Sequence, residues 1–139
     1  MAVRIVSAAL AMLLSTTSLL AHAKETDVRV PTEFWVTGDD GLTSRFAQAI
    51  TAALATSKSL ATPTSNNSAG LVLTIPTNVY WQDVRGQTNF QYIVVFTDKS
   101  SRYLGISTGA CWEKVMAGCA GTVVEEAEQA WAMQHVDAA

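Results

Sequence analysis

Cys111 and Cys119 are the only cysteines in the 139-residue chain, and His22 and His135 are the only histidines. Two thiols eight positions apart allow two chemistries, a structural disulfide or a redox-active pair. Redox pairs sit as C-x-x-C at a helix start, so the seven residues between Cys111 and Cys119 point to a staple. Closing so short a loop is worth about 2–3 kcal/mol. His135 lies near the C-terminus, where an exposed imidazolium at a helix end suits the helix dipole better than it serves a catalytic serine. No G-x-S-x-G elbow is present. Asp39 and Asp40 are neighbours, whereas a calcium loop spaces its oxygen ligands, so they read as a solvated turn leading into a helix. Glu125, Glu126 and Glu128 read as a charged helix face. Gly105–Gly109 lacks the lysine of a phosphate loop and falls at a strand end. No pair of acids is favoured for glycoside hydrolysis. The expectation is a chain with no catalytic, cofactor or metal residues, which is not an enzyme.

Aromatic side chains offer a different chemistry, that of a protein-binding surface. Trp35, Trp81, Trp112 and Trp131 are too many to share one small core, and Trp131 alone falls on the apolar stripe of a helix. Tyr80 and Trp81 are successive strand residues and must point to opposite sheet faces. Tyr103 faces away from the core if Leu104 and Ile106 face inward. Aromatics and arginine dominate binding hot spots, so Tyr80, Trp81, Arg85, Arg102, Tyr103 and Trp112 form the candidate binding surface. The competing expectation is a sheet face partly covered by the polar loop 57–70.

The elements that must position these residues follow from periodicity. Glu33–Thr37 is a short β-prone run ended by Gly38-Asp39-Asp40-Gly41. Leu42, Phe46, Ile50 and Leu54 recur every four residues, which predicts a helix with Asp40 as its N-cap. Residues 57–70 have turn chemistry, and Asn66-Asn67-Ser68 fits a glycosylation sequon. Leu71, Leu73 and Ile75 alternate as a strand that continues past Pro76 to Val79-Tyr80-Trp81, with the proline at an edge or a bulge. Phe90–Phe96 reads as a central strand covered at least partly on each face, and Asp98-Lys99-Ser100-Ser101 turns it into the antiparallel Arg102–Ser107. Thr122 and Glu125 form a T-x-x-E capping box for a closing helix that carries Val123, Ala127, Ala130 and Trp131. The disulfide then pins the connection between the last strand and this helix. Strand, helix, three strands and helix suggest an α+β fold: a single-layer, mostly antiparallel sheet with two helices packed on one face.

Composition sets the frame. Charged residues are 15% and hydrophobic residues 49%, too apolar for a disordered acidic tail. A net charge of −3 gives no basic footprint for nucleic acid. Arg4, the apolar run Ile5–Leu14 and Ala21-His22-Ala23 have the layout of a secretory signal peptide over residues 1–23. Cleavage there leaves one α+β domain over 24–139, eight basic against twelve acidic residues and His135 as the sole histidine. The leader's apolar run is polar-interrupted and falls short of the ~20 residues a membrane span needs, so no stable membrane insertion is expected after cleavage.

In element order the chain resembles the small periplasmic α/β domain found at the start of TolB and in LpoB- and CsgG-type envelope proteins. The resemblance is carried by the acid-turn-led helix Gly41–Ile50, the strand Leu71–Ile75, the hairpin Gln91–Asp98 to Tyr103–Gly105 and the closing helix. It implies noncatalytic protein–protein work in the envelope and transfers no functional residue. The expected function is an exported, periplasmic or secreted binding domain for another envelope or extracellular protein. The alternative is an inhibitor or immunity protein that neutralises a toxin or cell-wall hydrolase by inserting Gln82–Thr88 or the disulfide loop.

Overall fold

The computed structural model describes residues 28–64 and 69–136. The expected signal peptide and the sequon lie outside them. The elements run β1 (Val30–Val36), α1 (Gly41–Ala55), β2 (Leu60–Ala61), β3 (Leu71–Ile75), β4 (Tyr80–Val84), β5 (Gln87–Asp98), β6 (Tyr103–Trp112) and α2 (Met116–His135), with a 3₁₀ turn at Glu113–Val115 before α2. The fold is α+β, as expected, but it has two strands more than the periodicity showed.

The backbone of the sheet is β2-β1-β3-β5, with β6 on the far side of β5. β1 runs parallel to β2 and β3, and the remaining pairings are antiparallel. β3 and β4 share one edge of β5: β3 pairs with Val95–Asp98 and β4 with Gln87–Gln91, while β6 spans Asn89–Thr97 on the opposite edge. The expected strand 71–81 is therefore one line of chain interrupted after Ile75. Two extra residues are absorbed there, because Thr74 faces Val95 while Tyr80 faces Gln91.

Both helices cover the same face. Phe46, Ile50 and Leu54 of α1 meet Leu71, Leu73, Phe90, Tyr92, Val94 and Phe96 of the sheet, and α2 adds Ala120, Val123, Val124 and Ala127 to the same core. The Phe46 ring contacts Phe90 edge-on at 5.1 Å and Tyr92 at 4.9 Å. Asp40 caps α1 as anticipated, its carboxylate accepting the Thr43 N–H at 2.6 Å. Trp131 is only partly buried; it packs on the rim of the core, close against Gly70.

Three expectations need correction. Thr122 is no N-cap: α2 begins six residues earlier, at Met116, and the Thr122 hydroxyl donates back to the Gly118 carbonyl at 3.2 Å. The helix passes through both Gly118 and Gly121. Residues 57–70 are not wholly loop, since Leu60 is fully buried and extends the sheet beside Val30. β5 is central, and its outer face is covered only in part: Val95 is half-buried while Ile93 remains 46% exposed. Finally, Gln82–Thr88 is not a loop but the end of a β4–β5 hairpin closed by Arg85-Gly86.

Candidate functional site

The face of the sheet turned away from the helices is the candidate site, and its layout follows from strand register. Directly opposed residues share a face, so Gln82, Asn89 and Trp112 form one row, and Tyr80, Gln91 and Ala110 the next. Ile93 and Thr108 follow beside the β3–β4 interruption. Trp35, Thr74, Val95 and Ile106 make a four-strand row, and Glu33, Val72, Thr97 and Tyr103 another. Tyr80, Tyr103, Trp35, Ile106, Ile93 and Trp112 are all exposed. Across these rows the one charged side chain is Glu33, whose carboxylate accepts the Trp35 indole N–H at 3.0 Å. At the interruption the face dips into a shallow hollow of about 480 Å³ lined by Thr77, Tyr80, Gln91, Ile93 and Thr108 among others.

Three of the six expected surface residues, Tyr80, Tyr103 and Trp112, come together on this face. Trp81 does not: it stands opposite Phe90 on the helix-bearing side and is 54% exposed, on a strand whose residues are nearly all exposed. Arg85 occupies the β4–β5 turn, and Arg102 the β5–β6 turn, where it pairs with Asp98 at 3.4 Å. The two arginines therefore lie at opposite ends of β5 and do not form one patch with the aromatics.

Sequence reasoning missed Trp35, Ile93 and Ile106. Trp35 and Ile93 were readable by alternation, since each follows a core-facing residue, Phe34 or Tyr92. Ile106 was not. A bulge at Phe96/Thr97 shifts the pairing, so that Leu104 is buried and Ile106 turns outward, the reverse of simple alternation.

The remaining polar groups hold structural positions. His135 Nδ1 donates to the Trp131 carbonyl at 2.7 Å, and its ring stacks on the indole at 3.8 Å. Asn78 Oδ1 accepts the backbone N–H groups of Asp39 and Asp40 at 2.8 and 3.1 Å, and its amide donates to the Asp39 carboxylate at 3.0 Å. Hydrogen bonds from Thr43 hold the Asp40 carboxyl below its ordinary range. Asp98 is lowered likewise by the Arg102 and Ser100 N–H groups, which it accepts at 2.9 and 2.8 Å. Burial pushes the Tyr92 phenol up. Glu128 accepts the Ser57 hydroxyl at 2.9 Å and so ties α2 to the end of α1. Cys111 and Cys119 form the expected disulfide, which joins the end of β6 to the first turns of α2. Among the described residues no three His, Cys, Asp or Glu side chains cluster to hold a metal ion, and no helix is long and apolar enough to cross a membrane.

No protein-family model and no curated protein matches the sequence. In structure the chain is similar to a single-substitution variant of PelC from Paraburkholderia phytofirmans, described as a dodecamer. The similarity covers 73% of this chain and 86% of that one at TM-score 0.52 and 12% identity, a likeness of fold alone.

Proposed function

We propose that this chain is an exported, noncatalytic binding domain of the cell envelope, and that its helix-free sheet face receives another envelope or extracellular protein. The observation that carries the reading is the nearly uncharged field of exposed Trp35, Tyr80, Ile93, Tyr103, Ile106 and Trp112 on one face. Burying such side chains is worth about 1.5–3 kcal/mol each, enough for a few to anchor a complex. The disulfide supports an oxidising compartment. A protein of similar fold forms a dodecamer, which supports association as a use of this architecture. Asp40 and Asp98 serve a helix cap and a turn, and His135 bonds back to Trp131 of its own helix, which supports binding over turnover.

Affinity capture from the envelope fraction, with the unaltered chain and with the Trp35→Ala/Tyr80→Ala/Ile106→Ala variant, tests the reading. A partner retained by the first and lost by the folded second is expected. Equal retention by both removes the sheet face as the binding surface.

A second reading rests on the β4–β5 hairpin. Its tip residues Arg85 and Gly86 both have positive φ, 54° and 79°, and a cationic side chain stands at the end of an exposed ribbon. That shape suits an inhibitor that inserts its tip into a hydrolase cleft.

A further inference from the structure

We propose that β6 is a self-pairing edge: β6 of one copy adds antiparallel to β6 of a second copy about a twofold axis at Thr108, joining two sheets into one. This pairing uses a strand edge and not the face assigned to a foreign partner, so either reading can fail alone.

Among the described residues the sheet has three free edges. β2 is two residues long. β4 is five residues long, carries Asp83 and ends at the Arg85-Gly86 turn. β6 runs ten residues, Tyr103–Trp112, with neither a proline nor a charged side chain. An open edge is a row of unpaired N–H and C=O groups, and monomeric proteins blunt it with shortness, charge, proline or cover. β2 and β4 carry such devices. β6 carries only the bulge near its start, and from Gly105 to Trp112 its pairing with β5 is unbroken. Its glycines serve the helix-bearing face: a Cβ at Gly105 would press on Ala130, and one at Gly109 would lie 2.8 Å from the Tyr92 hydroxyl.

The strand is also complementary to itself. In an antiparallel pair, opposed residues share a face, so an axis at Thr108 sets Thr108 against its twin. Ile106 then meets Ala110, Ser107 meets Gly109 and Cys111 meets Gly105, a larger residue against a smaller one at each step. No like charges meet, because the strand has none. Ile106, Thr108, Ala110 and Trp112 are exposed, so the outer half of the strand is open to a neighbour.

The experiment is light scattering on the purified chain across a concentration series, with Thr108→Lys and, as control, Gln82→Lys on β4 of the same face. Both positions are exposed, and circular dichroism verifies that each variant folds. The unaltered chain and Gln82→Lys are expected at twice the chain mass, and Thr108→Lys at half of that. A single-chain mass for the unaltered protein at every concentration overturns the proposal. So does a dimer that persists in Thr108→Lys, or one that Gln82→Lys dissolves as well.

Discussion

The Thr43 hydroxyl, fully buried in the first turn of α1, accepts the backbone N–H of Val79 at 3.0 Å. That bond fastens α1 to the interruption between β3 and β4, where the chain leaves one ladder with β5 and resumes another. Thr43→Val keeps the shape and removes the acceptor, leaving a buried N–H unpaired. The expected loss is about 1–3 kcal/mol by urea denaturation, while Thr43→Ser keeps most of the stability. Equal losses in both would mean that the methyl contact matters as much as the hydroxyl's bond, and a larger loss in Thr43→Ser would overturn the assignment to the hydroxyl.

Asp40 supplies the pH-dependent part of the same junction. Its carboxyl is lowered from 3.8 by the Thr43 hydrogen bonds, so the folded state favours the ionised form. Such a group contributes stability above its unfolded value, and the contribution is lost as pH falls through the lower folded value. Asp98, lowered by the Arg102 and Ser100 N–H groups, works in the same direction. Asp40→Ala is expected to cost about 1 kcal/mol at neutral pH, and Asp40→Asn much less, since asparagine also caps. Denaturation curves from pH 6 to 2.5 check the sign: Asp40→Asn should lose less stability than the parent below pH 4.

Much of this junction was legible in the sequence, because an N-cap and a four-residue apolar period are local signals. The β5–β6 turn was legible for the same reason: Asp98 accepts two N–H groups within its own turn, and Ser101 takes the left-handed conformation there. What escaped depends on non-local pairing. The two residues inserted after Ile75 reset which residues of β5 stand opposite β4, although, being two, they leave Tyr80 on the outer face that alternation from Leu71, Leu73 and Ile75 already gives it. The bulge beside Phe96 turns Ile106 outward, and only the partner strand shows it. The start of α2 escaped because Thr122 and Glu125 match a capping box, whereas the helix begins at Met116 and runs through Gly118 and Gly121, residues of low helix propensity. The Cys111–Cys119 bond holds the first turns that propensity alone would release.

The early α2 start is therefore expected to depend on the disulfide. Cys111→Ala/Cys119→Ala should cost about 2–3 kcal/mol and speed amide exchange over 116–122 before the rest of the helix. A Cβ at Gly118 or Gly121 meets nothing within 4 Å. Gly118→Ala and Gly121→Ala should thus each stabilise by roughly 0.5–1 kcal/mol, and together recover part of what the lost disulfide cost. Uniform exchange along α2 in the cysteine-free variant would show that the staple does not hold the helix start.

Arg85 separates the two functional readings through a stability measurement. A two-residue turn with both φ values positive is type I′, which favours Asn-Gly because asparagine tolerates the left-handed region better than arginine. Arg85→Asn should relieve strain of about 1 kcal/mol and raise the melting temperature by about 4–8 °C. If the hairpin tip is an inhibitory probe, that more stable variant binds its target more weakly, because the cation that enters the cleft is gone. If the sheet face carries recognition, Arg85→Asn gains stability and keeps full binding, while Tyr80→Ala loses it. An Arg85→Asn variant less stable than the parent would mean that the arginine makes contacts that outweigh its backbone cost, and the turn argument would fall with it.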